Sequence, residues 1–234
     1  MNSRISHIRL EEKKYHEYCY DNYKIFEQGS WLYKPVDTVM NCLTSIHIEN
    51  IKVLDLGCGV GRNSIPIAQK ISGNNSKVVC VDFLDAATEK LQKYSKEYGV
   101  EHIIEPITED IAFFDIEENS YDYIVAVSSL EHVKSKDELK KVLSKMEIGT
   151  KMNGINCIIV NSEVEEVEIE TGETMDAMME INMSTEEMLQ ILNENYNEWS
   201  KVTVLTKPLS FHINRGEKSV LLKTNAITFV VQKQ

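Results

Sequence analysis

Cysteine is sparse and scattered in this chain. Cys19, Cys42, Cys58, Cys80 and Cys157 make an odd number, and no two stand in a C-x-x-C pair. That pattern fits neither a disulfide framework nor a zinc site and predicts reduced thiols in a cytoplasmic protein. No other metal-ligand cluster stands out, so no metal is expected. Basic residues are outnumbered, with 25 Lys and Arg against 37 Asp and Glu and a net charge of −12. Such a chain repels a phosphate backbone, and no Lys/Arg cluster offsets the repulsion, so nucleic acid is not an expected partner. No apolar run reaches membrane-spanning length, and the stretch from Met1 to Arg9 lacks the apolar centre of a signal peptide. What is present is enough apolar material for a full core: 42% of 234 residues. One α/β domain with an N-terminal extension is the expectation, as a monomer or homodimer acting on a small molecule.

One stretch organises the chain: Ile51-Lys-Val-Leu-Asp-Leu-Gly-Cys-Gly-Val-Gly-Arg62. Its apolar residues, Ile51, Val53, Leu54 and Leu56, read as a strand buried on both faces of a parallel sheet. Gly57, Gly59 and Gly61 then permit positive φ and close approach to the backbone. Ile65, Ala68, Gln69 and Ser72 follow at helical spacing. A strand, a glycine turn and a helix N-terminus in succession form a cofactor pocket at the carboxyl end of a strand. The usual dinucleotide spacing is G-x-G-x-x-G. Here the glycines are closer together and Asp55 precedes them. A carboxylate at that place argues for a ligand carrying a cation or hydroxyls rather than a pyrophosphate.

The run V-L-D-L-G-C-G-x-G resembles the first motif of the class I S-adenosylmethionine-dependent methyltransferases. The resemblance implies a Rossmann-like, doubly wound α/β sheet of seven strands with an antiparallel last strand, in three α/β/α layers. It implies S-adenosylmethionine as cofactor and S-adenosylhomocysteine as product. Asp55 would lie near the amino-acid part of the cofactor, with Gly57, Cys58 and Gly59 giving close backbone approach and Asn63 following in the loop. Lys77 to Asp82 reads as a second buried strand ending in an acid, which can accept hydrogen bonds from both ribose hydroxyls. An N-cap for the next helix is the alternative for Asp82, although Asp85 suits that role better. Phe83 could flank the adenine. Asp110-Ile111 matches the family's third motif, where the carboxylate meets the adenine amine. Glu109 competes for that role, and a plain surface acid is the bland alternative. Tyr121-Asp122-Tyr123 resembles the family's entry to the fourth strand. That strand ends at Ser128, beside the transferred methyl group if the resemblance holds. His132 is the candidate catalytic base. A structural or cofactor-bordering role for it is equally open.

Residues 1–48 read as a helical extension over the cofactor site, rich in tyrosine, with Tyr23 and Trp31 as candidate cofactor contacts or simply packed against the sheet. Pro35 suits the first turn of a helix carrying Val36, Val39, Met40 and Leu43. Residues 49–234 form the methyltransferase domain. Strands are expected at 102–106 and 155–160, and Asp137 is expected to cap the helix through Leu139 and Met146. Residues 162–183 crowd glutamates and then methionines. They are expected to form a mobile, solvated acidic loop whose methionines make a soft lid over the substrate, or an ordinary packed helix. Ser184 with Glu187 marks a capping box. Strands are expected from Trp199 and again towards Val231.

A narrower resemblance rests on Trp31 with Tyr33-Lys34-Pro35, on Gly57-Cys-Gly-x-Gly-Arg-Asn-Ser64, and on Trp199-Ser-Lys-Val. These look like the tellurite-resistance methyltransferases, and tellurite or another chalcogen oxyanion becomes one candidate acceptor. Only Arg62, His132, His212 and Arg215 are available to hold an anion. A non-catalytic cofactor-binding regulator and an NAD-dependent oxidoreductase on a similar sheet are the rival readings.

Overall fold

A computed structural model describes residues 3–234. The chain opens with α1 (Ser3–Asn22), a turn at Trp31–Tyr33 and α2 (Asp37–Leu43). Five parallel strands follow, β1 (Lys52–Leu56), β2 (Lys77–Asp82), β3 (Ile104–Thr108), β4 (Tyr121–Val127) and β5 (Thr150–Glu168), with α3 (Ser64–Lys70), α4 (Asp85–Glu97) and α5 (Lys136–Gly149) among them. The short β6 (Thr174–Met175), α6 (Thr185–Asn195) and the long hairpin of β7 (Ser200–Arg215) and β8 (Lys218–Gln232) complete it. The sheet order is β3-β2-β1-β4-β5-β8-β7, with β8 antiparallel to both neighbours and β6 paired to the outer half of β5. This is the expected Rossmann-like sheet with an antiparallel last strand, plus one two-residue strand.

The three layers follow from alternation along the central strands. Val53, Val78, Cys80, Tyr123 and Val125 face one side and pack with Val39, Leu43, Ile65 and Leu91 of the helices there. Leu54, Leu56, Val79, Val81, Ile124 and Ala126 face the other and meet Leu139, Val142, Leu143, Met188 and Leu192. A strand covered on both faces needs apolar residues at nearly every position, which is why these segments read as unbroken apolar runs. No helix among the described residues is long and apolar enough to cross a membrane.

Several local expectations shift. The aromatic N-terminal segment is one continuous 20-residue helix. β3 begins two residues later than expected, at Ile104. The N-cap of α5 is Ser135, whose side chain accepts from the Glu138 N–H. Asp137 lies in the first turn instead, where a carboxylate suits the helix dipole. Pro35 precedes the Val36 N-cap of α2.

The largest departure is the acidic run. Its first seven residues, 162–168, continue β5. The inward residues are Val164, Glu166 and Glu168, all buried, while Glu163 and Glu165 face solvent. Glu166 is tolerated there because Arg215, across the sheet, grips both its oxygens at 2.7 and 3.1 Å and also reaches Glu12 of α1 at 2.8 Å. Lys218 meets Glu168 at 3.1 Å. The cations that neutralise this run lie about fifty residues away in the chain, so the run itself reads as solvated. Residues 176–183 form neither a helix nor a solvated loop, and Met179 and Met183 are buried.

Removing one member of a buried ion pair leaves the other charge without compensation. Arg215→Met should therefore lower the unfolding free energy by about 3–5 kcal/mol in urea titration. Adding Glu166→Met should recover most of the loss. A single variant as stable as the parent would show that the pair is not needed.

Candidate active site

The carboxyl ends of β1, β2, β3 and β4 converge on one edge of the sheet, and the glycine loop folds over them. Gly57, Gly59 and Gly61 all take positive φ. At Gly57 a side chain is excluded outright, because a Cβ would lie 2.3 Å from that of Ser129. The Ser129 hydroxyl donates to the Leu56 carbonyl at 2.7 Å, locking the tip of β4 against the tip of β1.

Asp82 is the hinge of the site. One of its oxygens accepts the Gly59 N–H at 2.8 Å and the other the Leu84 N–H at 2.9 Å. The carboxylate thus ties the glycine loop to the turn after β2. It is buried, and burial raises its pKa against the lowering effect of the two backbone donors. The N-cap of α4 is Leu84, so Asp82 is not the cap, and Asp85 lies in the first helical turn. Phe83 is 51% exposed beside it. Asp110 follows β3. Its carbonyl accepts from Phe113 and Phe114, its Oδ1 accepts from the Ala112 N–H at 3.0 Å, and its Oδ2 is buried with no aligned hydrogen bond. Ile111 is buried in the core below.

Other candidates are placed differently. Asp55 lies beneath the loop, bonded to the Ser64 hydroxyl at 2.5 Å, and burial pushes its pKa up to about 6 against that bond. Asn63 turns away from the tips and accepts the Val36 N–H at 2.9 Å, joining the loop to α2. Cys58 is buried in the loop. Tyr23 packs near Gly29 and the first core. Trp31 stands beside the loop: its carbonyl accepts from Arg62 at 2.9 Å, and the guanidinium sits 5.1 Å from its ring centre. Ser128 has φ of +51°, and its hydroxyl is 3.4 Å from Asn161 Nδ2.

His132 sits on the turn Leu130–His132 after β4. Its Nδ1 is 2.9 Å from Glu180, a carboxylate only 2% exposed. Burial alone would lower the histidine pKa, but the Glu180 hydrogen bond and the charges of Glu12 and Glu131 outweigh it and raise the value to about 9. This environment favours the protonated imidazole, with Nδ1–H facing the Glu180 carboxylate. A carboxylate on Nδ1 favours the protonated ring and also fixes the tautomer whose Nε2 can accept a proton, so a donor role and a general-base role both fit this environment.

The residues not foreseen come from α1. Arg9, His16 and Tyr20 lie along the helix face turned towards the strand tips. Arg9 pairs with Asp110 at 3.0 Å and with Glu180 at 3.4 Å. His16 packs edge-on to Trp31, 5.9 Å between ring centres, and senses the charge of Asp82. The Tyr20 hydroxyl would be 3.2 Å from a Cβ at Gly59. Their helical spacing was the available signal, but it is weak in a helix with so few apolar residues.

Residues 53–154 match the family model described as a methyltransferase domain. Over those residues, less than half of its length, the chain is similar to methyltransferase domains. Sterol 24-C-methyltransferase of Candida albicans is 31% identical over 84 residues, 36% of this chain and 22% of that protein. Carboxy-S-adenosyl-L-methionine synthase of Shewanella halifaxensis is 24% identical over 120 residues, 51% of this chain and 48% of that protein. The chain thus covers less than half the length of either relative. Among solved structures, TehB from Haemophilus influenzae shares the fold at a TM-score of 0.63 and 20% identity, over 94% of this chain and 67% of that one. The residues at the methyltransferase strand tips suit the cofactor of this class: Asp82 offers a fixed carboxylate for hydroxyls, and the buried Asp110 Oδ2 lacks a well-aligned donor.

The raised pKa of His132 has a definite sign for stability. Its stabilising effect is complete below the unfolded value of about 6.5 and is lost as pH rises through about 9. In an NMR titration the His132 ring should have a midpoint near 9. Glu180→Gln should move that midpoint down towards about 6.5. A parent midpoint near 6.5 would refute the Glu180 pairing.

Proposed function

We propose that this chain transfers the methyl group of S-adenosylmethionine to a small-molecule acceptor. The observation that carries the reading is the Asp82 carboxylate, fixed by the Gly59 and Leu84 N–H groups at the mouth of the glycine loop. Asp82 accepts the ribose hydroxyls, Asp110 takes the adenine amine against Phe83, and Gly57, Cys58 and Gly59 lie along the methionine portion. Asp55 acts from beneath, holding the loop through Ser64, and Asn63 and Trp31 support the loop from outside. Bound cofactor supplies an electrophilic methyl on a cationic sulfur, so the protein's task is to position the acceptor and exclude water. Ser128 and His132 border the acceptor end. His132, protonated, orients the acceptor rather than deprotonating it.

The cations named for an oxyanion are committed elsewhere. Arg215 is held by Glu166 and Glu12, His132 by Glu180, and Arg62 by Trp31, while His212 lies exposed on β7. Arg215 and His132, faced by carboxylates, attract anions weakly, and the net charge of −12 adds to this, so a neutral or cationic acceptor suits this site better than tellurite. All five cysteines are unpaired and buried, which supports a cytoplasmic setting.

Asp82→Ala should weaken S-adenosylhomocysteine binding in calorimetry by about 1–3 kcal/mol, the worth of hydrogen bonds to a charged group. Parent-like affinity would sink the ribose assignment. With S-adenosylmethionine and a panel of acceptors, S-adenosylhomocysteine should accumulate with amines or neutral nucleophiles and not with tellurite. Turnover on tellurite alone would reverse the acceptor reading.

A further inference from the structure

The contacts of α1 place one of its side chains inside the adenine subsite. The Arg9 guanidinium lies 4.9 Å from the centre of the Phe83 ring and 3.0 Å from Asp110 Oδ2. On the reading proposed above, these are the two groups that flank adenine: a ring to stack on and a carboxylate to receive an exocyclic amine. A guanidinium is flat, rich in N–H donors and stacks on aromatic faces, so it meets the same demands as the purine edge. Yet the fit is incomplete, since Asp110 Oδ2 gains no aligned hydrogen bond from its cationic neighbour.

We propose that α1 is an internal competitor of the cofactor: Arg9 holds the adenine subsite shut, and cofactor binding requires the N-terminal half of α1 to withdraw. This inference rests on the cofactor assignment above.

The way α1 is attached suits that motion. Its C-terminal end is anchored by the buried Cys19 and Tyr20 and by Lys90, which donates to the Tyr20 carbonyl and pairs with Asp21 at 2.8 Å. Across residues 4–18, Ile8 is the one buried side chain. That half is held chiefly by charge: Arg4 with Asp176, Arg9 with Asp110 and Glu180, Glu12 with Arg215. Of these pairs Arg4–Asp176 is exposed and yields to solvent at modest cost. Those of Arg9 and Glu12 are mostly buried and yield only where their partners keep or gain another, whereas the apolar anchor resists separation. The helix would therefore hinge near Tyr20. Glu180, released from Arg9, keeps His132 as its partner, and Arg215 keeps Glu166; Asp110 gives up its cation, and on the reading above the adenine amine becomes its donor.

A ligand that must displace an internal occupant binds with its affinity reduced by the fraction of open protein. Arg9→Met keeps the aliphatic bulk and removes the plug. Calorimetry with S-adenosylhomocysteine should show binding tightened about tenfold in Arg9→Met, within the usual range of such coupling. Amide hydrogen exchange should show residues 4–16 exchanging faster when S-adenosylhomocysteine is added to the parent, and already fast in unliganded Arg9→Met, with β1 and β4 equally protected in both. The last comparison verifies that the variant is folded. Weaker binding in Arg9→Met, or residues 4–16 protected by the ligand, would overturn the proposal and make Arg9 a cofactor clamp. Equal affinity in both proteins would also overturn it, leaving the cofactor assignment intact. Failure of both proteins to bind would remove the cofactor assignment itself and the inference with it.

Discussion

The site depends on one carboxylate holding two backbone segments at once. Asp82 receives N–H groups from the glycine loop and from the turn after β2, so the ends of the first two strands cannot open independently. The Ser129 hydroxyl closes the same edge from the other side by bonding to the Leu56 carbonyl. Gly57 must lack a side chain because Ser129 fills the space a Cβ would take. A charge-assisted bond is stronger than a neutral one, and a buried carboxylate with partners on both oxygens has little freedom to turn. The geometry of both segments thus rests on one residue.

Above this rigid edge the charge arrangement is of another kind. Glu180 faces both His132 and Arg9, and Arg215 faces both Glu12 and Glu166. Each of these groups has two partners of opposite sign. Partner exchange within such a network avoids leaving a charge bare, the state that costs most in a poorly solvated place. Glu180 and Arg215 would each keep one partner if α1 moved, while Asp110 would not.

The central strands β1, β2 and β4 were legible because burial on both faces demands apolar runs, and Val53 to Leu56, Val78 to Val81 and Ile124 to Ala126 comply. The glycine loop was legible for a steric reason, and Asp82 and Asp110 for their places at the ends of strands. The acidic run at 162–168 was not, since the partners of Glu166 and Glu168 are Arg215 and Lys218, on strands that pair with β5 only after the chain returns. His132 was singled out correctly as a residue of the strand tip, but its proton affinity depends on Glu180, which local sequence does not tie to it. Arg9 went unnoticed because a charged residue on a charged helix looks solvated until the surface facing it is known.

Sequence alone determined the central buried strands and the glycine-lined edge, because these rest on periodic burial and on local backbone freedom. Tertiary structure decided which charges are paired, which acid faces His132 and which side chain of α1 lies against Phe83 and Asp110. Those are set by Coulomb energies that fall with distance in space and take no account of separation along the chain.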